Sequence, residues 1–117
     1  MSYNSIVANK SFEFSLKIID LYKHLVFEKK EYVLSKQLLR SGTAIGAIIR
    51  EGIDAQSKKD FLSKMNIALK ESKETQYWTE LLTASEYLDK DLNIINDCIE
   101  ISKILTSIVK TTKNSIL

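Results

Sequence analysis

The sequence predicts an all-α fold, an up-and-down antiparallel four-helix bundle, on three observations. Proline is absent and only three glycines occur in 117 residues, although loops and sheets usually need both and helix interiors tolerate neither well. Apolar residues recur at helical spacing in four long stretches. Short polar interruptions separate them, and helices joined by short turns pack as antiparallel neighbours. The length suits a single domain over residues 1–117, with helices expected at about 8–28, 33–51, 58–88 and 91–115.

In the first helix Phe14, Ile18, Leu21 and Leu25 share one stripe, and Phe12, Leu16, Ile19 and Val26 form an adjacent one. The run Glu28-Lys29-Lys30-Glu31 ends it and reads as a plain solvated turn. The second helix repeats Leu34, Leu38, Ile45, Ile48 and Ile49. Gly42 and Gly46 sit one turn apart inside it. Each costs about 1 kcal/mol relative to alanine, so close approach of a neighbouring helix is the economical reason for both. Gly52 fits a left-handed cap.

The third helix opens on Ser57-Lys58-Lys59-Asp60, a capping-box pattern in which the Ser57 hydroxyl accepts an orphan backbone N–H. One stripe holds Phe61, Met65, Ala68, Ser72, Thr75 and Leu82; another holds Ile67, Glu71, Glu74, Trp78, Leu81 and Leu88. Asp89-Lys90-Asp91 supplies the last turn and an aspartate to cap the fourth helix. That helix carries Ile95, Cys98, Ile99, Ser102, Leu105 and Val109, with a second row of Ile94, Ile101, Ile104 and Ile108. The first and fourth helices thus carry more apolar rows than one seam needs. Large exposed patches mark partner surfaces, so a homo-oligomer is expected.

Charge is nearly balanced, 17 basic against 15 acidic residues, far from the excess of an obvious nucleic-acid binder. Residues 1–50 hold eight Lys/Arg and four Asp/Glu, the remainder nine and eleven, so the first half is mildly basic. Cys98 is the only cysteine, which rules out an intrachain disulfide and fits a reducing compartment. No stretch approaches the roughly 20 apolar residues of a membrane span, and the first residues show no charged-then-apolar leader. A cytoplasmic location with no membrane partner is expected.

The sharpest local oddity is Glu71 and Glu74 on an apolar stripe with Trp78. Carboxylates there need partners, because desolvating an unpaired charge costs several kcal/mol. Arg40 on the second helix is the natural one, with Arg50 and Glu51 as further candidates. The resulting reading is a structural polar network of Arg40, Glu51, Glu71, Glu74 and Trp78. A carboxylate-bridged metal centre is the competing reading, but the single histidine, His24, lies in no Glu-x-x-His motif, so no metal or cofactor is expected. His24 has no nucleophile suggested beside it, Cys98 sits on an apolar face, and no glycine-rich phosphate loop occurs. No catalytic residue is named and the chain is expected not to be an enzyme. Arg50, Lys58, Lys59 and Lys64 cluster around the second turn and are the candidate contacts for nucleic acid.

Two blocks carry a family resemblance: Gln37-Leu38-Leu39-Arg40-Ser41-Gly42-Thr43-Ala44-Ile45-Gly46-Ala47-Ile48-Ile49-Arg50-Glu51-Gly52, and Ser57-Lys58-Lys59-Asp60-Phe61 followed by Ile67-Ala68-Leu69-Lys70-Glu71-Ser72-Lys73-Glu74-Thr75-Gln76-Tyr77-Trp78. In both the chain resembles the four-helix-bundle proteins encoded in intervening sequences of bacterial 23S ribosomal RNA genes. Ile48 departs from that family's usual asparagine, and the proline common before the second helix is missing. The resemblance implies ring assembly, with pentamers the expected form. It extends to the accessory protein of diversity-generating retroelements, a similar pentameric barrel linked to nucleic acid and a reverse transcriptase. It carries over Arg40, Glu51, Glu71, Glu74 and Trp78 as architectural residues. Three functions compete: an oligomeric accessory protein for RNA or DNA, a scaffold for another polypeptide, and a metal-dependent bundle enzyme.

Overall fold

A computed structural model describes the backbone of residues 3–116 and the side chains of residues 6–116. Four helices follow one another: α1 (Tyr3–Phe27), α2 (Leu34–Ile53), α3 (Lys58–Ala84) and α4 (Ile94–Ile116), with no strand among the described residues. Helix α1 starts five residues before the expected position, because nothing in its opening turn breaks a helix and Val7, 1% exposed, is already anchored in the core.

The turn after α1 is not a plain solvated one. Lys30 is left-handed at φ 58°, which lets the Glu31 N–H reach back to the Leu25 carbonyl at 2.9 Å. Glu31 itself is buried. Its carboxylate accepts from the backbone N–H groups of Val33, Leu34 and Ser35 at 3.2, 3.0 and 2.6 Å, capping α2 from outside the helix. The Ser35 hydroxyl returns a bond to the Glu31 carbonyl at 2.8 Å.

Helix α2 turns Leu38, Gly42, Ile45, Ile49 and Gly52 inward. A Cβ on Gly42 would lie 2.7 Å from Ile18, and one on Gly46 3.3 Å from Ser11 Oγ, so both glycines admit α1. Gly52 is not a left-handed cap. The helix runs through it to Ile53, and a Cβ there would meet Met65 of α3 at 2.5 Å. Close packing, not backbone freedom, accounts for this glycine.

Ser57 caps α3, its Oγ accepting from the Asp60 N–H at 3.1 Å. The helix stops at Ala84 rather than near residue 88. Glu86 turns left-handed, φ 70°, and the N–H groups of Tyr87 and Glu86 bond the carbonyls of Leu82 and Thr83. This is the Schellman pattern, and it tucks Leu88 back into the core. In the following loop Asp89 accepts from the Asp91 N–H at 3.0 Å. That carboxylate therefore closes a turn instead of capping α4, which begins at Ile94 and not near 91.

Each helix packs on its chain neighbours, and α1 meets α4 over a smaller contact that closes the bundle. The particle measures 48 × 24 × 20 Å. Phe14, Ile18, Leu25, Leu38, Ile45, Met65, Leu82 and Leu105 fill the interior. A hydroxyl layer crosses its middle, with Thr75 Oγ1 donating to Ser41 Oγ at 3.0 Å and Ser72 Oγ 2.7 Å from Ser102 Oγ. No buried side-chain nitrogen or oxygen among the described residues lacks a partner, which keeps this polar layer from destabilising the core.

Candidate functional site

The two carboxylates on the third helix meet the second helix through Arg40. Arg40 Nη1 donates to Glu71 Oε2 at 3.0 Å, while Nη2 contacts Glu74 Oε2. The Trp78 indole N–H donates to that same Glu74 oxygen at 2.9 Å. Spacing explains the cluster: residues 71, 74 and 78 follow one face of α3, and antiparallel packing brings Arg40 opposite them. The Trp78 bond, together with Arg40, holds the Glu74 carboxyl below its ordinary range despite partial desolvation. Glu74 in turn raises the Arg40 guanidinium above its usual value.

The apolar stripe predicts a desolvated cluster, and the structure places it at the bundle's flank. The Arg40 side chain is 51% exposed, Glu71 17% and Glu74 36%. Tyr77 stacks edge-on against Trp78, ring centroids 5.1 Å apart, and is itself exposed. The arrangement can hold α2 to α3.

Glu51 does not join the network. It points toward Lys64, 3.5 Å away, both side chains exposed. Lys64 therefore leaves the candidate nucleic-acid set as a partly neutralised cation. Arg50 projects outward, its guanidinium carbon 5.2 Å from the centroid of Phe12, a ring that is 47% exposed. Lys58 and Lys59 emerge at the adjoining start of α3, both exposed. A guanidinium over an open ring suits stacked bases, and exposed lysines suit phosphates.

The surplus apolar rows divide unevenly. On α1, Phe12 and Leu16 lie in solvent. On α4, Ile94, Ile101 and Ile108 are buried and Ile104 half-buried, because α3 and α1 cover its two flanks. The open surface expected of both helices therefore belongs to α1. Cys98 is buried, and its Sγ donates to the Ser72 carbonyl at 3.1 Å. Burial pushes the thiol up to about 12, far from a nucleophile's range. His24 sits at the boundary, Nδ1 2.7 Å from Glu28. Among the described residues no group of three or more His, Cys, Asp or Glu side chains is placed to hold a metal ion. Likewise, no described helix is long and apolar enough to cross a membrane.

The capping role of Glu31 was missed because the acid lies outside the helix it serves; its one local signal is the serine four residues on. The buried thiol bond to α3 has no sequence signal at all.

Residues 3–107 match the family model described as 23S rRNA-intervening sequence protein. A crystal structure of a protein of unknown function from the S23 ribosomal protein family of Bacteroides thetaiotaomicron is 54% identical, covering 93% of this chain and 99% of its own, with a TM-score of 0.91. No protein of curated function matches the chain. With the four-helix architecture and the family model extending through nearly all of it, the chain belongs to the 23S rRNA-intervening sequence protein family.

Proposed function

We propose that this protein is a non-enzymatic, self-associating accessory protein that binds nucleic acid at its surface and works in the cytoplasm. The observation that carries the reading is Arg50 lying over the exposed Phe12 ring, with Lys58 and Lys59 exposed at the start of α3. A relative assigned to a ribosomal protein family agrees with RNA as the nucleic acid. The exposed α1 residues Ile6 and Leu16 support self-association, with a pentameric ring the expected size. A ring would repeat a weak cationic surface several times and raise its avidity.

Retention of RNA by the assembled protein at low salt, weakening steeply as salt rises, tests the reading. No retention at low salt overturns it. Light scattering at micromolar concentration tests the assembly, and a clean monomer removes it.

The other end of the bundle favours a second reading, a scaffold for another polypeptide. Phe27, Tyr32 and Val33 are 69%, 52% and 71% exposed around the α1–α2 turn. One stoichiometric protein partner that survives nuclease treatment would favour it over nucleic acid.

A further inference from the structure

We propose that the outer groove between α3 and α4 is a phosphodiester-binding site for a nucleic acid strand, with Lys73 and Lys103 flanking the phosphate and Gln76 and Ser107 donating to its oxygens. The inference rests on the nucleic-acid reading above and locates a contact surface that the sequence did not single out.

The groove has a volume of about 430 Å³ and no carboxylate in its lining. The grooves between α1 and α4 carry Glu13, Asp20, Asp97 and Glu100, and the hollow at the α3–α4 loop carries Glu86 and Asp89. In a chain with 17 basic and 15 acidic residues, an acid-free cationic groove needs a cause. Ion pairing on the flanks supplies one. Glu71 and Glu74 are held on the far side of α3 by Arg40. Asp97 and Glu100 are held on the far side of α4 by Lys17 and Lys10. Glu80, the next acid along α3, lies outside the lining. Neither Lys73 nor Lys103 makes an ion pair among the described residues.

The hydroxyls sort the same way. Ser102 is bonded to Ser72, and Thr106 donates to the Ser102 carbonyl at 2.8 Å. Ser107 and the Gln76 amide make no side-chain bond among the described residues and line the groove. Two ammonium groups and two neutral donors, without a competing carboxylate, match a phosphate, which only accepts. No aromatic ring lines the groove, so it contacts backbone and not bases. The groove therefore positions a strand without reading its sequence.

The test uses the full chain and labelled single strands of RNA and of DNA, each about 20 nucleotides long. Lys73→Gln with Lys103→Gln should weaken binding about ten-fold at low salt and lower the log–log salt slope by about 0.7 per protomer, the share of one phosphate. Lysine acetylation followed by mass spectrometry should show residues 73 and 103 protected by the strand. Loss with RNA and DNA alike supports a phosphodiester site. If the parent protein binds while the double variant binds equally, with unchanged slope and no protection, the groove is not the site and the nucleic-acid reading survives. If the parent binds neither strand, both fall. Displacement of the strand by millimolar inorganic phosphate, where chloride at equal ionic strength has no effect, identifies a free-phosphate site and overturns the strand.

Discussion

Ile18 fills the space that any side chain at Gly42 would need. It is fully buried, and a Cβ on Gly42 would meet three of its carbons within 3.0 Å. The stiff β-branched side chain cannot swing aside. Gly42→Ala should therefore destabilise the bundle by about 1–2 kcal/mol, overpacking outweighing the helical preference for alanine. Gly46→Ala, facing Ser11 Oγ at 3.3 Å, should stay within about 1 kcal/mol of the parent. Denaturant unfolding of the two variants checks the contrast, and equal losses would refute it.

The Arg40 network is half in solvent, which limits what it contributes. Arg40→Ala should lower stability by about 1–2 kcal/mol, short of the 3–5 kcal/mol seen when a buried pair is broken. Trp78→Phe removes the indole donor that does most to hold Glu74 acidic. The Glu74 titration, followed by carboxyl NMR, should then move up toward the ordinary carboxylate range. An unmoved titration would show that Arg40 alone sets it.

Glu31 links stability to acid. Burial raises its pKa, but the N–H donors of Leu34, Ser35 and Val33 more than reverse this and leave it lowered. The unfolded chain then takes up the proton first. Stability from this group is complete above the ordinary carboxylate pKa and is lost as pH falls through the folded value. Glu31→Gln should cost about 1 kcal/mol at neutral pH, the size of a lost helix cap, and little once the parent is protonated. Melting curves from neutral to acidic pH should converge; parallel curves would sink the assignment.

Lys30 and Glu86 hold left-handed backbone at φ 58° and 70°, a conformation that strains a side-chain-bearing residue by about 1–2 kcal/mol. Lys30→Gly and Glu86→Gly should each stabilise the protein by about 0.5–1 kcal/mol, after the added freedom of glycine in the unfolded chain is subtracted. A lowered melting temperature in both would contradict this.

Cys98 should resist thiol reagents in the folded protein, its thiol being buried and pushed up to about 12. The labelling rate should follow unfolding, rising with denaturant. Fast labelling at neutral pH in native buffer would show that the α3–α4 contact opens.

Local pattern by itself determined the four helices, the inward stripe of Met65, Ala68, Ser72, Thr75 and Leu82, and the Ser57 cap on Asp60. Each depends on residues within a turn or two of one another, where spacing alone sets geometry. Tertiary structure decided which flanks were covered: the isoleucines of α4 went inside while Phe12 and Leu16 stayed out. It left Arg50, the further candidate partner, over Phe12 and outside the Arg40 network. Glu51 it turned toward Lys64, and Gly52 it packed against Met65. Periodicity gives the angle of a side chain around its helix axis. What stands at that angle, another helix or water, is settled only when distant segments pack together.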